Sequence, residues 1–76
     1  MKTQTNMKQT RGMKIGRLAM QYYPNSSYRT ALRHFREEIL LTRDLLPALQ
    51  SIGYSKNQRY LSPRQVQVIE QFLGEP

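Results

Sequence analysis

PNSSYRTALRHFREEI, residues 24–39, is the stretch that decides the fold. Pro24 ends whatever helix precedes it, because the residue before a proline is pushed out of helical backbone angles. Asn25, Ser26 and Ser27 then make a turn cluster, and any of the three can cap a following helix. With Tyr28 set at zero, Tyr28, Ala31, Leu32, Phe35 and Ile39 fall between roughly 300° and 40° on a helical wheel. That is one apolar stripe, so the segment reads as an amphipathic helix. Arg29, Arg33 and Arg36 lie together beside it, between roughly 80° and 140°. His34, near about 240°, falls away from both stripes and reads as exposed.

Working back from Pro24, Ile15, Leu18, Ala19 and Tyr22 keep the i, i+3, i+4, i+7 spacing, which predicts a helix over 14–23. Forward of Ile39 the pattern breaks around Leu41 and Thr42. Thr42 or Asp44 caps a third helix carrying Leu45, Leu46, Leu49 and Ile52; Pro47 favours Asp44, since proline is tolerated in a first turn. Gly53 is a left-handed stop, with Tyr54 folding back on the last turn. Residues 55–60, SKNQRY, read as a polar loop. Ser62, Pro63 and Gln65 then form an N-cap, a first-position proline and a capping box, with Leu61 and Val66 as the hydrophobic staple. Val66, Ile69, Phe72 and Leu73 are the expected buried face of this last helix, and Gly74 ends it.

The expectation is an all-α fold: a compact four-helix domain over residues 13–76 whose first two helices form a helix-turn-helix-like pair. Residues 1–12, polar and without periodicity, read as a flexible basic N-terminal arm. A common helix-turn-helix has a small residue in its turn, whereas Tyr23 and Pro24 stand there in this chain.

Charge points to the partner. Eight of the 12 basic residues fall in the first 36 positions, which hold no acidic residue, and the formal net charge is +7. Charge placement governs association more than fold, and nucleic acid is the obvious polyanion. The expected function is DNA binding, with the second helix entering the major groove of double-stranded DNA and the basic arm following the duplex. The candidate contact residues are Ser26, Ser27, Arg29, Thr30, Arg33 and Arg36, with Lys14, Arg17, Lys56 and Arg59 around them. Arginine reads guanine bidentately, and serine or threonine hydroxyls suit bases or phosphates. RNA stays open, because phosphate neutralisation is the same for both. A homodimer on a two-fold site fits so small a reader. The tyrosines read as core-edge residues and not as stacking platforms. The alternative function is a protein-interaction adaptor docking on an acidic or apolar partner, which predicts an uncovered apolar patch around Tyr23, Leu40, Leu41 or Val68.

Other classes are disfavoured. There is no cysteine and a single histidine, so no metal, cofactor or catalytic constellation is expected, and an enzyme is not. Glu37 and Glu38 point about 100° apart on a helix, which does not suit paired acid–base chemistry. Residues 1–14 hold no apolar run of signal-peptide type, and polar residues interrupt every later one, so a cytoplasmic chain without membrane contact is expected.

The segments LAMQYYPN, ALRHF and IGYSKNQRYLSPRQVQVIEQFLGEP resemble a family of very short uncharacterised proteins common in gut Bacteroidetes. That family's ending, G-Y-x-x-x-Q-R-x-L-[ST]-P-x-Q-V-x-x-I-x-x-x-L-G-x-P, is matched by Gly53, Tyr54, Gln58, Arg59, Leu61, Ser62, Pro63, Gln65, Val66, Ile69, Leu73, Gly74 and Pro76. The resemblance spans roughly residues 15–76. It implies a small bacterial cytoplasmic protein with a domain of unknown function, often suspected of DNA binding through a helix-turn-helix. Many members have a tryptophan late in the second helix, near the place of Glu38. Among the matched positions only Gln58 and Arg59 lack an evident role in folding, which suggests either phosphate contacts from the loop or a pairing of Arg59 with a carboxylate such as Glu70.

Overall fold

A computed structural model of the chain describes residues 11–76, so most of the arm expected at 1–12 lies outside the described residues. The element order is β1 (Met13–Lys14), α1 (Ile15–Tyr22), α2 (Tyr28–Leu41), α3 (Leu45–Gln50), β2 (Tyr60–Leu61) and α4 (Pro63–Leu73). The four expected helices are present. The purely helical expectation is corrected by a two-stranded antiparallel ribbon, in which Met13 pairs with Leu61 and Lys14 with Tyr60. Strands of two residues are too short to show alternation in sequence. Their pairing is nevertheless consequential. Lys14 caps α1 without a side-chain hydrogen bond, and the Arg59 carbonyl accepts the first helical N–H, that of Ile15, at 2.8 Å. The ribbon thus meets a need for backbone partners that every helix start has.

Ser27 is the residue of the turn cluster that caps α2, its hydroxyl accepting the Thr30 N–H at 3.2 Å. Thr42 closes the same helix, its N–H and hydroxyl both donating to the Glu38 carbonyl. Asp44 stands at the cap position of α3, yet with φ 70° and no side-chain cap bond. It supplies a left-handed corner there, a conformation aspartate tolerates better than most residues. Gly53 is left-handed as expected, with φ 91°, and Tyr54 folds back so that its N–H reaches the Leu49 carbonyl at 3.0 Å.

The core joins Ile15, Leu18 and Ala19 of α1 to Ala31, Phe35 and Ile39 of α2, with Leu45, Leu49, Tyr54, Leu61, Val66 and Ile69 closing it. Tyr22 stacks on Phe35, their centroids 5.4 Å apart, and its hydroxyl donates to the Gly74 carbonyl, tying α1 to the end of α4. Two expected core residues lie at the surface: Tyr28 is 55% exposed and Phe72 40%. Tyr28 is the first residue of α2 and reaches beyond the core to α1, where a side chain at Gly16 would collide with its hydroxyl and ring.

The capping box of α4 is complete. The Ser62 hydroxyl accepts from the Gln65 N–H at 3.2 Å, and Gln65 Oε1 accepts from the Ser62 N–H at 2.9 Å. Gln65 is only 3% exposed, and a buried amide needs more partners than the cap provides. Its Nε2 donates to the Ile52 carbonyl at 3.2 Å, and Oε1 also accepts from Gln58 Nε2. Gln58 in turn donates to the Tyr60 carbonyl at 2.7 Å and accepts from the Ser55 N–H at 3.1 Å. The expectation that Gln58 contacts phosphate is therefore corrected: its amide is engaged in pinning loop 51–60 to α4.

Candidate nucleic-acid interface

The ribbon determines which cations meet. A groove of about 540 Å³ beside it is lined by Lys14, Ile15, Tyr28, Leu32, Arg36, Arg59 and Tyr60. Lys14 and Tyr60 also wall a second groove of about 400 Å³, together with Arg11, Gly12, Met13 and Arg17. Arg36 walls a third, of about 460 Å³, with Ile39, Leu40, Leu46, Gln50, Tyr54, Ser55, Lys56 and Asn57. Lys14 and Tyr60 are thus common to the first two, and Arg36 to the first and third. The run carries Arg11, Arg17, Lys14, Arg59, Arg36 and Lys56, and none of its lining residues is a carboxylate.

Each side chain is positioned for a local reason. Lys14 and Tyr60 face each other across the ribbon. The Arg59 backbone is tied to α1, which leaves its exposed side chain at the groove. Tyr28, Leu32 and Arg36 are four residues apart and share one face of α2. Arg36 is half-buried, and its Nε is enclosed without a hydrogen-bond partner among the described residues. It also lies near Tyr54, whose phenol is pushed up by burial while the Arg36 charge acts against that rise. Gly12 must approach closely: a Cβ there would sit 2.7 Å from the Leu61 carbonyl oxygen.

Of the sequence-expected site residues, Lys14, Arg17, Arg36, Lys56 and Arg59 line this run. Arg29 and Arg33 are exposed on α2 but line none of the three grooves, so the expected arginine stripe divides. The Ser27 hydroxyl is engaged in capping, Ser26 donates its N–H to the Tyr23 carbonyl, and both it and Thr30 are half-buried outside the run. Arg11, Tyr28 and Tyr60, which were not among the expected site residues, line the grooves too.

The carboxylates lie elsewhere. Glu70 and Glu75 act on Tyr22, whose phenol is raised from 10.0 to about 12 by burial first and by these charges second. Burial raises Tyr23 too, followed by Glu38 and Glu37. Tyr22 and Tyr23 end α1, while Lys14 begins it. The helix therefore runs from a cationic pole to an acidic one, about 12 Å away at 1.5 Å per residue.

The adaptor reading also has a surface. Leu40 and Leu41 are 62% and 80% exposed at the end of α2. Tyr23 and Val68, its other expected members, pack against the core. Among the described residues no cluster of three His, Cys, Asp or Glu side chains could hold a metal ion, and no helix is long and apolar enough to cross a membrane.

The family model for a domain of unknown function, DUF4248, matches residues 9–76, which covers the ribbon, the groove run and all four helices. The chain belongs to the DUF4248 family. No curated protein and no solved structure matches it. In this DUF4248 chain the distinctive ending is accounted for by folding: Gly53 turns left-handed, Gln58 and Gln65 bond each other, and Ser62 caps α4. Arg59 combines a structural backbone with an exposed, charged side chain on the groove.

Proposed function

We propose that this chain is a small nucleic-acid-binding protein that seats a phosphate backbone along the groove run. The observation that carries the reading is that six cations line three grooves with walls in common, and that no carboxylate is among the lining residues. Helix ends add to it. Tyr28, at the start of α2, lies over Gly16 in the first turn of α1, and Gly12 packs beside Pro63, which starts α4. Three positive helix termini thus flank the ribbon, and oriented dipoles of this kind favour an anion.

In a titration followed by fluorescence anisotropy, affinity for a labelled oligonucleotide is expected to fall by about three hundredfold or more between roughly 50 and 200 mM salt if all six cations meet phosphates. Affinity unchanged by salt, or no binding at low salt, would refute the reading. The helix-turn-helix mode is a narrower form of it, in which α2 enters the major groove of duplex DNA through Arg29 and Arg33. It requires that Arg29→Ala with Arg33→Ala weaken duplex binding more than Lys14→Ala with Arg59→Ala. A protein-adaptor role is the second reading, favoured by the exposure of Leu40 and Leu41. It expects Leu40→Gln with Leu41→Gln to abolish capture of a protein partner without altering oligonucleotide affinity.

A further inference from the structure

Charge explains attraction to phosphate but not two other features of the middle groove. Tyr28 and Tyr60 both line it, and they are 55% and 60% exposed. The other three tyrosines are engaged: Tyr22 stacks on Phe35, Tyr23 meets His34 edge-on, and Tyr54 is buried. Leaving two aromatic rings in water forgoes the burial that favours aromatics inside a protein.

The two exposed rings are also held. The Tyr60 hydroxyl donates to the Gly12 carbonyl at 3.2 Å. The hydroxyl end of Tyr28 lies over Gly16, a position that any larger residue would obstruct. The Tyr60 ring is anchored by its hydroxyl and the Tyr28 ring rests its polar end on Gly16, and both line the groove with Lys14, Arg36 and Arg59. Much of the rotamer freedom that a ligand would otherwise have to remove is already gone. Sequence-tolerant single-strand sites combine these same parts: cations that track phosphates, and aromatic faces on which bases stack. A duplex presents phosphates but keeps its bases stacked on each other, so it would leave both tyrosines unused.

We infer that the groove walled by Tyr28, Tyr60, Lys14, Arg36 and Arg59 binds single-stranded nucleic acid, the two tyrosines stacking on unpaired bases. This rests on the nucleic-acid-binding reading and narrows it to a substrate class.

Three ligands of about twelve nucleotides, compared at one salt concentration, test it: a single strand, the duplex of the same sequence, and an abasic strand with the same phosphates. The intact single strand is expected to bind at least about tenfold tighter than either of the others, in the range reported for base–aromatic stacking. Tyr28→Ala and Tyr60→Ala should each weaken the single strand about five- to fiftyfold and leave the abasic strand within about twofold. Tyr28→Phe should retain most of the affinity. The chain has no tryptophan, so tyrosine fluorescence reports stacking directly, and it should be quenched by the intact strand but not the abasic one. Equal affinity for the intact and abasic strands overturns the inference even if an alanine variant fails to fold, because that comparison uses the wild-type chain. Tighter binding of the duplex also overturns it while leaving nucleic-acid binding intact. Binding of none of the three overturns both.

Discussion

Gly16 stands in the first turn of α1, where alanine would form helix more readily by up to about 1 kcal/mol. Its bare backbone is where the Tyr28 phenol rests. Gly16→Ala should therefore leave unfolding stability within about 1 kcal/mol of wild type, since propensity gained offsets packing lost. It should nevertheless weaken single-strand binding as Tyr28→Ala does, which denaturant unfolding and anisotropy on the same variant would separate. At the other end of α1, the Tyr22 phenol is held protonated to about pH 12, against 10.0 for the ordinary group. The folded state keeps this proton where the unfolded chain loses it, so its contribution is full below pH 10 and lost as pH rises towards 12. Tyr22→Phe should flatten that alkaline loss in a pH series of thermal melts, while lowering stability at neutral pH through the lost bond to the Gly74 carbonyl. Single-residue reading of the sequence was least secure at the ends of elements. Wheel angle put Tyr28 on the apolar stripe, but as the first residue of α2 it lies beyond the core that Ala31 and Phe35 reach.

The start of α4 was the most legible element, because a capping box and a first-position proline are set by adjacent residues. Ser62→Ala should cost about 1 kcal/mol in urea unfolding. Gln65→Ala should cost more, about 2–3 kcal/mol, because it deprives the Ile52 carbonyl, the Ser62 N–H and the Gln58 amide of a shared partner. Equal costs would mean that Gln65 acts only as a cap. Nothing local revealed this wider network: Gln58, Ile52 and Gln65 meet only once loop 51–60 has folded back. The ribbon was hidden for a similar reason, since Met13–Lys14 and Tyr60–Leu61 are defined by each other and not by a pattern within either. Asp44 shows the opposite error, a cap-type residue at a cap position whose work is done by its backbone. Asp44→Gly relieves the left-handed strain and should raise stability by up to about 1 kcal/mol, readable as a small rise in Tm.

Over the whole molecule, charge runs against what helix stability alone would favour. The described helices have no acidic residue in a first turn and no basic residue in a last turn. Lys14 and Arg17 at the start of α1, Arg29 at the start of α2 and Arg64 at the start of α4 instead face positive helix ends, where cations are disfavoured. Such an arrangement is unfavourable to folding and favourable to an anionic ligand. The sequence made the charge excess plain but not its division, because Arg36 turns into a groove wall while Arg29 and Arg33 line none of the three grooves. The most direct test separates placement from total charge. Lys14→Gln with Arg59→Gln removes two groove cations, and Arg43→Gln with Arg64→Gln removes two exposed ones that line none of the three grooves. Anisotropy across a salt series should show the first pair losing affinity and reducing the salt slope by about 1.5, with the second pair close to wild type. Equal losses from the two pairs would contradict a groove-based site.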